Sequence, residues 1–296
     1  MSAVATAPAA LRRAFMARFG RWLRHDMRAA ISLGYLFCLA LLALLAPVIA
    51  PHSPTDQDYN AILLPPGAGH LLGTDDLGRD VLSRLIYGAP VSLYASCLAV
   101  AIGVAIGLPV GVVAGYLGGK VDTLISRLID TLLSFPGIVL AVGVTAALGI
   151  GLTNSMIAVG IVFSPELARL IRSQTLVVKQ ALYVEAARSF GASTSRIILR
   201  HILPNAVQPV IVQVTLMLAV ALLVEASLSF LGLGVQPPAP SWGAMLARAY
   251  GNMEAAPAQM YPPGIAILLT ALAFNGLGES IRAGLDPKLR RLELRT

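Results

Sequence analysis

The sequence predicts an all-α, polytopic membrane protein with six transmembrane helices, and three observations carry that prediction. Hydrophobic residues make up 56% of the 296-residue chain and charged residues only 12%, too few to cover a soluble domain of this length. Apolar stretches long enough to cross a bilayer recur along the chain. Lys and Arg collect in alternate connections between those stretches, as the positive-inside rule requires.

The first apolar run, Ala29 to Ile49, carries no charge and ends among Pro47 and Pro51. The segment before it holds Arg12, Arg13, Arg18, Arg21, Arg24 and Arg28 against one acid, Asp26. It superficially resembles a transit or signal peptide, but Ala50 is followed by Pro51, a poor place for cleavage, so an uncleaved anchor fits more simply. Five further spans are predicted over Leu93 to Tyr116, Leu133 to Gly149, Ser155 to Ile171, Val207 to Leu231 and Pro263 to Ile281. Basic residues gather in the amino-terminal tail, around Lys120 and Arg127, from Arg169 to Arg200, and from Arg282 onward. Those segments, and both termini, are therefore expected in the cytoplasm. The connection near Gly151 to Asn154 is uncharged, and the one from Gly232 to Pro262 has only Arg248 and Glu254. The first external segment offsets Arg79 and Arg84 with Asp56, Asp58, Asp75, Asp76 and Asp80.

The domain organisation expected is a basic tail over 1–28, a first helix and external segment over 29–90, a membrane domain over 91–283, and a tail over 284–296. The formal charge of +7 sits beside the spans, so it calls for membrane lipid and not for nucleic acid. Cys38 and Cys97 fall inside apolar stretches without metal-ligand spacing and are expected as buried thiols. Gly103, Gly107, Gly111, Gly115 and Gly119 recur at every fourth position, a smooth stripe against which another helix can close, and Pro109 is expected to bend the same helix.

Catalytic chemistry finds little support. No phosphate-binding loop of the form G-x-x-x-x-G-K-[ST] is present, and the nearest approach, Ala114 to Val121, lacks the first Gly and the hydroxyl residue. There is no H-E-x-x-H and no G-x-S-x-G. His25, His52, His70 and His201 are scattered over both sides of the proposed membrane, so no metal site is expected. No cofactor is expected on this chain.

The informative segment is Tyr183-Val184-Glu185-Ala186-Ala187-Arg188-Ser189-Phe190-Gly191, followed by Ala192-Ser193-Thr194-Ser195 and an apolar-basic run ending at Pro204. It reads as helix, turn, helix: Ala and Glu favour the first helix, Gly191 can close it in the left-handed conformation, and Ser193 or Thr194 can cap the second. This resembles the permease subunits of binding-protein-dependent ATP-binding-cassette (ABC) importers, whose cytoplasmic signature is E-A-A, three residues, Gly, and then I-x-L-P. Glu185, Ala186, Ala187, Gly191, Leu203 and Pro204 match it, with His201 where the general pattern has Ile, as in the R-H-I-L-P of the peptide-permease branch.

A second resemblance is more specific. Leu72-Gly73-Thr74-Asp75-Asp76-Leu77-Gly78-Arg79-Asp80-Val81-Leu82-Ser83-Arg84 is similar to the external segment of the C-type subunit of dipeptide, oligopeptide and nickel permeases. Leu133-Ser134-Phe135-Pro136, the run Ser229 to Pro238, and Leu285-Asp286-Pro287-Lys288-Leu289-Arg290 match as well. The resemblance covers the chain from the first span to the carboxyl tail, leaving the basic leader unmatched. It implies a type I ABC importer transmembrane fold in the inner membrane, with Tyr183 to Gly191 as a coupling helix seated in a groove of an ATPase subunit. It implies as partners a second, B-type permease, one or two kinds of ATPase subunit that hold the ATP and Mg, and an extracytoplasmic substrate-binding protein. Di- or oligopeptides are the expected cargo by family frequency, with nickel or another small solute as the alternative.

Individual residues retain simpler roles. Asp80 is placed to cap the helix carrying Val81, Leu82, Leu85 and Ile86. Glu225, deep in a span, either faces the pathway or is hydrogen-bonded to a neighbouring helix. Glu166 follows Pro165 and is a second candidate for the pathway or for backbone donors freed at the kink. Trp242 and the Pro-rich segment before it are candidate contacts for an external partner. The rival from another class is an ion-coupled secondary transporter, which calls for broken helices and commonly internal repeats, and no repeat is identifiable. A membrane enzyme ranks third.

Overall fold

A computed structural model describes residues 26–285 apart from Ala68, so the basic leader from Arg12 to Arg24 and the tail motif beyond Leu285 lie outside the described residues. Helix α1 (Met27–Leu44) starts where the Asp26 carboxylate accepts from the amides of Arg28 (3.0 Å) and Ala29 (3.1 Å), and a short α2 (Ala46–Ile49) follows across a break at Leu45. Pro47 sits in the first turn of α2, where a missing N–H is tolerated. Helix α3 (Val81–Leu117) has 37 residues. At 1.5 Å per residue it is about 55 Å long, against about 30 Å of hydrocarbon, so its first turns project beyond the membrane. It begins well before the expected Leu93 because Asp80 caps it, its carboxylate accepting from the Ser83 amide at 2.7 Å. It therefore runs unbroken through the expected boundary at residue 90 and past both Pro90 and Pro109.

The third span is not the single straight helix expected over Leu133 to Gly149. Helices α4 (Gly119–Leu133) and α5 (Gly137–Leu148) are bent by 94° at Ser134, Phe135 and Pro136. The twelve residues of α5 reach only about 18 Å. Five helices of the described residues are long and apolar enough to cross a bilayer, and the spans number six when the bent pair is counted as one. Helix α4 is held to α6 (Leu152–Lys179) by charge: Asp122 accepts from both Nε and Nη2 of Arg172, the latter at 2.7 Å, and Arg169 donates to Asp130 at 2.6 Å. The chain then forms α7 (Leu182–Ser189), α8 (Thr194–Ile197), a π-helical turn (Ile198–Ile202), α9 (Leu203–Phe230), α10 (Trp242–Gly251), a 3-10 turn (Pro257–Met260) and α11 (Tyr261–Leu285).

The core is the pair α3 and α6, which pack against each other more extensively than any other two elements. The glycine stripe makes that contact. A Cβ on Gly107 would stand 2.8 Å from the Leu167 Cβ, one on Gly111 2.8 Å from the Ile171 Cβ, and one on Gly115 2.7 Å from the Thr175 Cβ. The fit is reciprocal, since a Cβ on Gly160 of α6 would meet the Ile102 Cβ at 2.6 Å. Real Cβ atoms do not approach so closely, so the helices touch through backbone, as small residues permit in membranes. Gly119 is not part of the stripe: it lies past the end of α3 at φ +56° with open space beside it. Cys38 and Cys97 were expected to be buried but stand on exposed outer faces of α1 and α3. Hydropathy marks a span without saying which of its faces turns inward.

Opposite the α7 end, residues 50–80 form a cap knitted by charge instead of a solvated loop. Arg79 is almost fully buried and donates to Asp75 through Nε at 2.8 Å, while Arg84, also buried, has Nε 3.4 Å from the same carboxylate. Arg84 also donates to the Pro54 carbonyl at 2.7 Å, and Arg248 of α10 donates to Asp76 at 3.0 Å. Burying these groups is tolerable because each guanidinium meets a carboxylate or a carbonyl. Burial alone would raise the Asp80 carboxyl, but hydrogen bonds from the Ser83 hydroxyl and amide and from His70 outweigh it and hold the carboxyl below its ordinary range. Trp242 closes the cap. Its ring is 1% exposed, lies against Gly88, and donates Nε1–H to the Leu85 carbonyl at 3.0 Å.

Two outcomes follow from this packing. Gly107→Leu forces α3 and α6 apart, a loss of about 1–3 kcal/mol or more. It should sharply lower the yield of monodisperse protein on size exclusion, whereas Gly143→Ala, at a site with open space around it, should not. Trp242→Ala should cost about 3–5 kcal/mol and lower the thermal unfolding temperature in detergent. An unchanged temperature would place the cap's stability elsewhere.

Candidate functional site

Helix α7 protrudes at the end of the bundle where α3 and α6 terminate. Lys179, the last residue of α6, donates to the Tyr116 carbonyl of α3 at 2.6 Å and lies 5.5 Å from the centre of the Tyr116 ring. One side chain of α7 is buried, Val184, which packs with Ile197, Ile202 and Ala206 against Tyr116 and Val178. The helix stops at Gly191 in a Schellman arrangement. The Ala192 amide donates to the Ala187 carbonyl and the Gly191 amide to the Arg188 carbonyl, both at 3.0 Å, with Gly191 at φ +76°. Between the two predicted caps the structure uses Ser193, whose hydroxyl accepts from the Arg196 amide.

The second predicted run does not end at Pro204. It continues as helix from Thr194 to Phe230, directly into the span. Proline cannot donate to the carbonyl four residues back and its ring crowds that turn. The chain accommodates Pro204 by widening into the π turn, with the Leu203 amide reaching back to the Ile198 carbonyl. Of the predicted coupling residues, Tyr183, Glu185, Ala186, Gly191 and Pro204 are exposed and Ala187 and Leu203 half-buried. The motif did not single out Leu182, Phe190 and Leu199, which are 82%, 91% and 63% exposed. The signal was present in the spacing: Tyr183, Ala186 and Phe190 fall on one helical face, away from Val184.

The two intramembrane acids differ. Glu225 is fully buried, accepts from Ser229 at 2.7 Å and faces the Ser92 hydroxyl of α3 at 3.5 Å. Ser92 in turn accepts from the Trp242 amide at 3.4 Å, so Glu225 lies in a hydrogen-bonded contact between helices. Glu166 does not satisfy backbone donors near Pro165. It is exposed on α6 and accepts from Gln213 of α9 at 2.9 Å. Trp242, expected as an external contact, is buried beneath the cap and offers no surface to a partner. A residue in a Pro-rich connection reads as exposed until the neighbouring helix supplies the glycine, Gly88, that receives it.

Comparison with known proteins agrees with this architecture. Residues 107–291 match the family described as binding-protein-dependent transport system inner membrane component, and residues 14–66 match the N-terminal transmembrane domain of oligopeptide transport permease C. The glutathione transport system permease protein GsiD of Escherichia coli O6:K15:H31 is 46% identical over 273 residues, which span 92% of this chain and 90% of that protein. GsiD of Salmonella typhimurium is 45% identical over the same shares. A chain of the MetNI methionine ABC transporter, in an inward-facing form, superposes with a TM-score of 0.57 at 22% identity, over 69% of this chain and 97% of that one, which shows the fold. A bundle of membrane-crossing helices with an exposed E-A-A helix between α6 and α9, matched over most of its length, places this chain in the family of binding-protein-dependent ABC importer permeases, multi-pass components of the inner membrane.

Proposed function

We propose that this chain forms, with a second B-type permease, the translocation pathway of an ABC importer for di- or oligopeptides or closely peptide-like solutes. Separate ATPase subunits dock on Tyr183 to Gly191 and carry the ATP and Mg, and an extracytoplasmic substrate-binding protein delivers the cargo. The chain itself catalyses nothing. The observation that carries this reading is the exposed helix α7. It is fixed to the bundle by one buried residue, Val184, yet holds Leu182, Tyr183 and Phe190 out in water. Large apolar side chains gathered on a protruding helix mark a protein-binding surface. The peptide-like cargo is supported by the similarity to GsiD, because glutathione is itself a small peptide.

Glu166 and Gln213 belong to the pathway in this reading. An ionised side chain turned to lipid at mid-helix is unfavourable by about 2.5–3.5 kcal/mol on insertion scales, and such groups face a bundle interior or a water-filled cavity. The exposed face of α6 and α9 that carries the pair is then the one turned to the second permease and the cargo.

In the assembled transporter reconstituted in liposomes, Glu185→Ala and Gly191→Val should lower cargo uptake tenfold or more and abolish cargo-stimulated ATP hydrolysis while membrane insertion stays normal. Gly191→Val is unfavourable also because a branched residue at φ +76° is strained. Normal uptake and coupling in both variants would reject the docking assignment. Glu166→Leu should reduce uptake several-fold with the ATPase subunits still co-purifying, and undiminished uptake would remove the pair from the pathway.

A further inference from the structure

Two of the histidines that look scattered along the sequence meet at a carboxylate on the cap. His52 follows α2, His70 lies in the loop of the cap, and Asp80 is the capping residue of α3. The His70 Nδ1 stands 2.9 Å from Asp80 Oδ1 and the His52 Nδ1 3.8 Å from Oδ2. The two imidazole rings lie 4.8 Å apart, tilted by 37°. Taking one donor atom from each residue, all three fall within 4.8 Å of one another.

A simple hydrogen bond accounts for His70 and Asp80 but not for His52. At 3.8 Å its Nδ1 is too far from the carboxylate to share a proton with it. Yet the ring is turned toward the same carboxylate and held beside the other imidazole. Its backbone is fixed there as well: the His52 amide donates to the Ser83 hydroxyl at 3.0 Å, and that hydroxyl donates to Asp80 Oδ2 at 2.7 Å. With Oδ2 also accepting from the Ser83 amide, the carboxylate is oriented by two donors, and Oδ1 is left toward His70. Oriented ligands supported by outer hydrogen bonds are the construction found around protein-bound metals.

The chemistry of the donors selects the ion. Neutral imidazoles each offer a nitrogen lone pair, and Asp80 brings the negative charge. The nearby guanidiniums of Arg79 and Arg84 are directed at Asp75, and that of Arg248 at Asp76. Two imidazole nitrogens and one carboxylate oxygen suit zinc, nickel, copper or cobalt and not magnesium or calcium, which take oxygen ligands. Bonds of about 2.0–2.2 Å to a tetrahedral ion put neighbouring donors about 3.3 Å apart. The side chains of His52 and His70 are exposed and partly exposed and so have room to close on an ion, while Asp80 is buried as the fixed ligand. We propose that His52, His70 and Asp80 form a binding site for one divalent transition-metal ion on the cap. The ion leaves an open coordination position toward water on the His52 side and clasps the segment after α2 to the start of α3.

The test uses the full chain in lipid nanodiscs, purified with a histidine-free tag. Co2+ is titrated by its visible absorption and Zn2+ by competition with a chromogenic chelator. The wild type should bind one equivalent, with the visible bands of a four- or five-coordinate Co2+ ion. His52→Ala removes a ligand without touching the backbone bond to Ser83 or the cap of α3, and it should weaken binding tenfold or more. His201→Ala, far from the cap, should bind as the wild type does. A second readout separates metal binding from a folding defect. Without metal, the His52→Ala and wild-type proteins should unfold at the same temperature, and Zn2+ should raise that temperature for the wild type only, because an ion that binds the folded state alone stabilises it by mass action. Equal affinities in wild type and His52→Ala, or a wild type with neither a stoichiometric Co2+ spectrum nor a Zn2+-dependent shift, would overturn the site.

Discussion

The close approach of α3 and α6 is the constraint on which the rest of the structure depends. Lipid tails are as apolar as leucine, so two helices in a membrane gain little by hiding apolar side chains from lipid and must gain by contact. Four glycines of α3 and Gly160 of α6 strip the interface of side chains, and backbone carbonyls and Cβ atoms of one helix lie in the groove of the other. Once that pair is set, the remaining helices have fixed surfaces to meet. Helix α9 packs on both members of the pair, α11 packs on α9, and α1 lies against α11 and α3.

Polar groups are used at the ends of this frame and at a few points within it. At the cap, buried arginines are matched by Asp75, Asp76 and backbone carbonyls, so the charge that makes the segment look like a solvated loop is what holds it against α10. At the opposite end, Asp122 and Asp130 pin the amphipathic α4 onto Arg172 and Arg169. Within the membrane, Glu225 takes hydroxyl partners from Ser229 and Ser92, and α10 joins them through the Trp242 amide, which donates to the Ser92 hydroxyl. At the buried sites, the cap and Glu225, an unmatched group would be strongly unfavourable, which fixes the register of the elements that carry the partners.

Much of this was legible in the sequence because it depends on local rules. Span existence follows from hydropathy, the α3 contact from a four-residue glycine period, the end of α7 from Gly191, and the capping role of Asp80 from its place before Val81. The family resemblance rested on motifs at fixed spacing. What was not legible depends on direction or distance. An apolar run through Leu133 to Gly149 looks the same whether straight or bent by 94°, and the bend is set by Ser134, Phe135 and Pro136. Trp242 reads as a surface aromatic until Gly88 opens a place for it. Cys38 and Cys97 sit in apolar stretches yet face outward. His52 and His70 join Asp80 only because the cap folds back on the start of α3.

In the proposed docking role, the attachments of α7 tie a short surface helix to the membrane core. A docking helix on a loose loop would absorb a push without passing it on. Here both flanks are stiff. On the incoming side, α7 follows Lys179 after two residues, and Lys179 is bonded to the end of α3. On the outgoing side, the Schellman turn and the Ser193 cap lead into a helix that runs without interruption from Thr194 to Phe230. Val184 is wedged among Ile197, Ile202 and Ala206, so α7 cannot rotate on its own axis without disturbing the start of α9. Helix α7 is thus tied to both α6 and α9, the two helices that bear Glu166 and Gln213. The π turn before Pro204 lies on that route, between α7 and the span, where a change in helix pitch alters the angle between them.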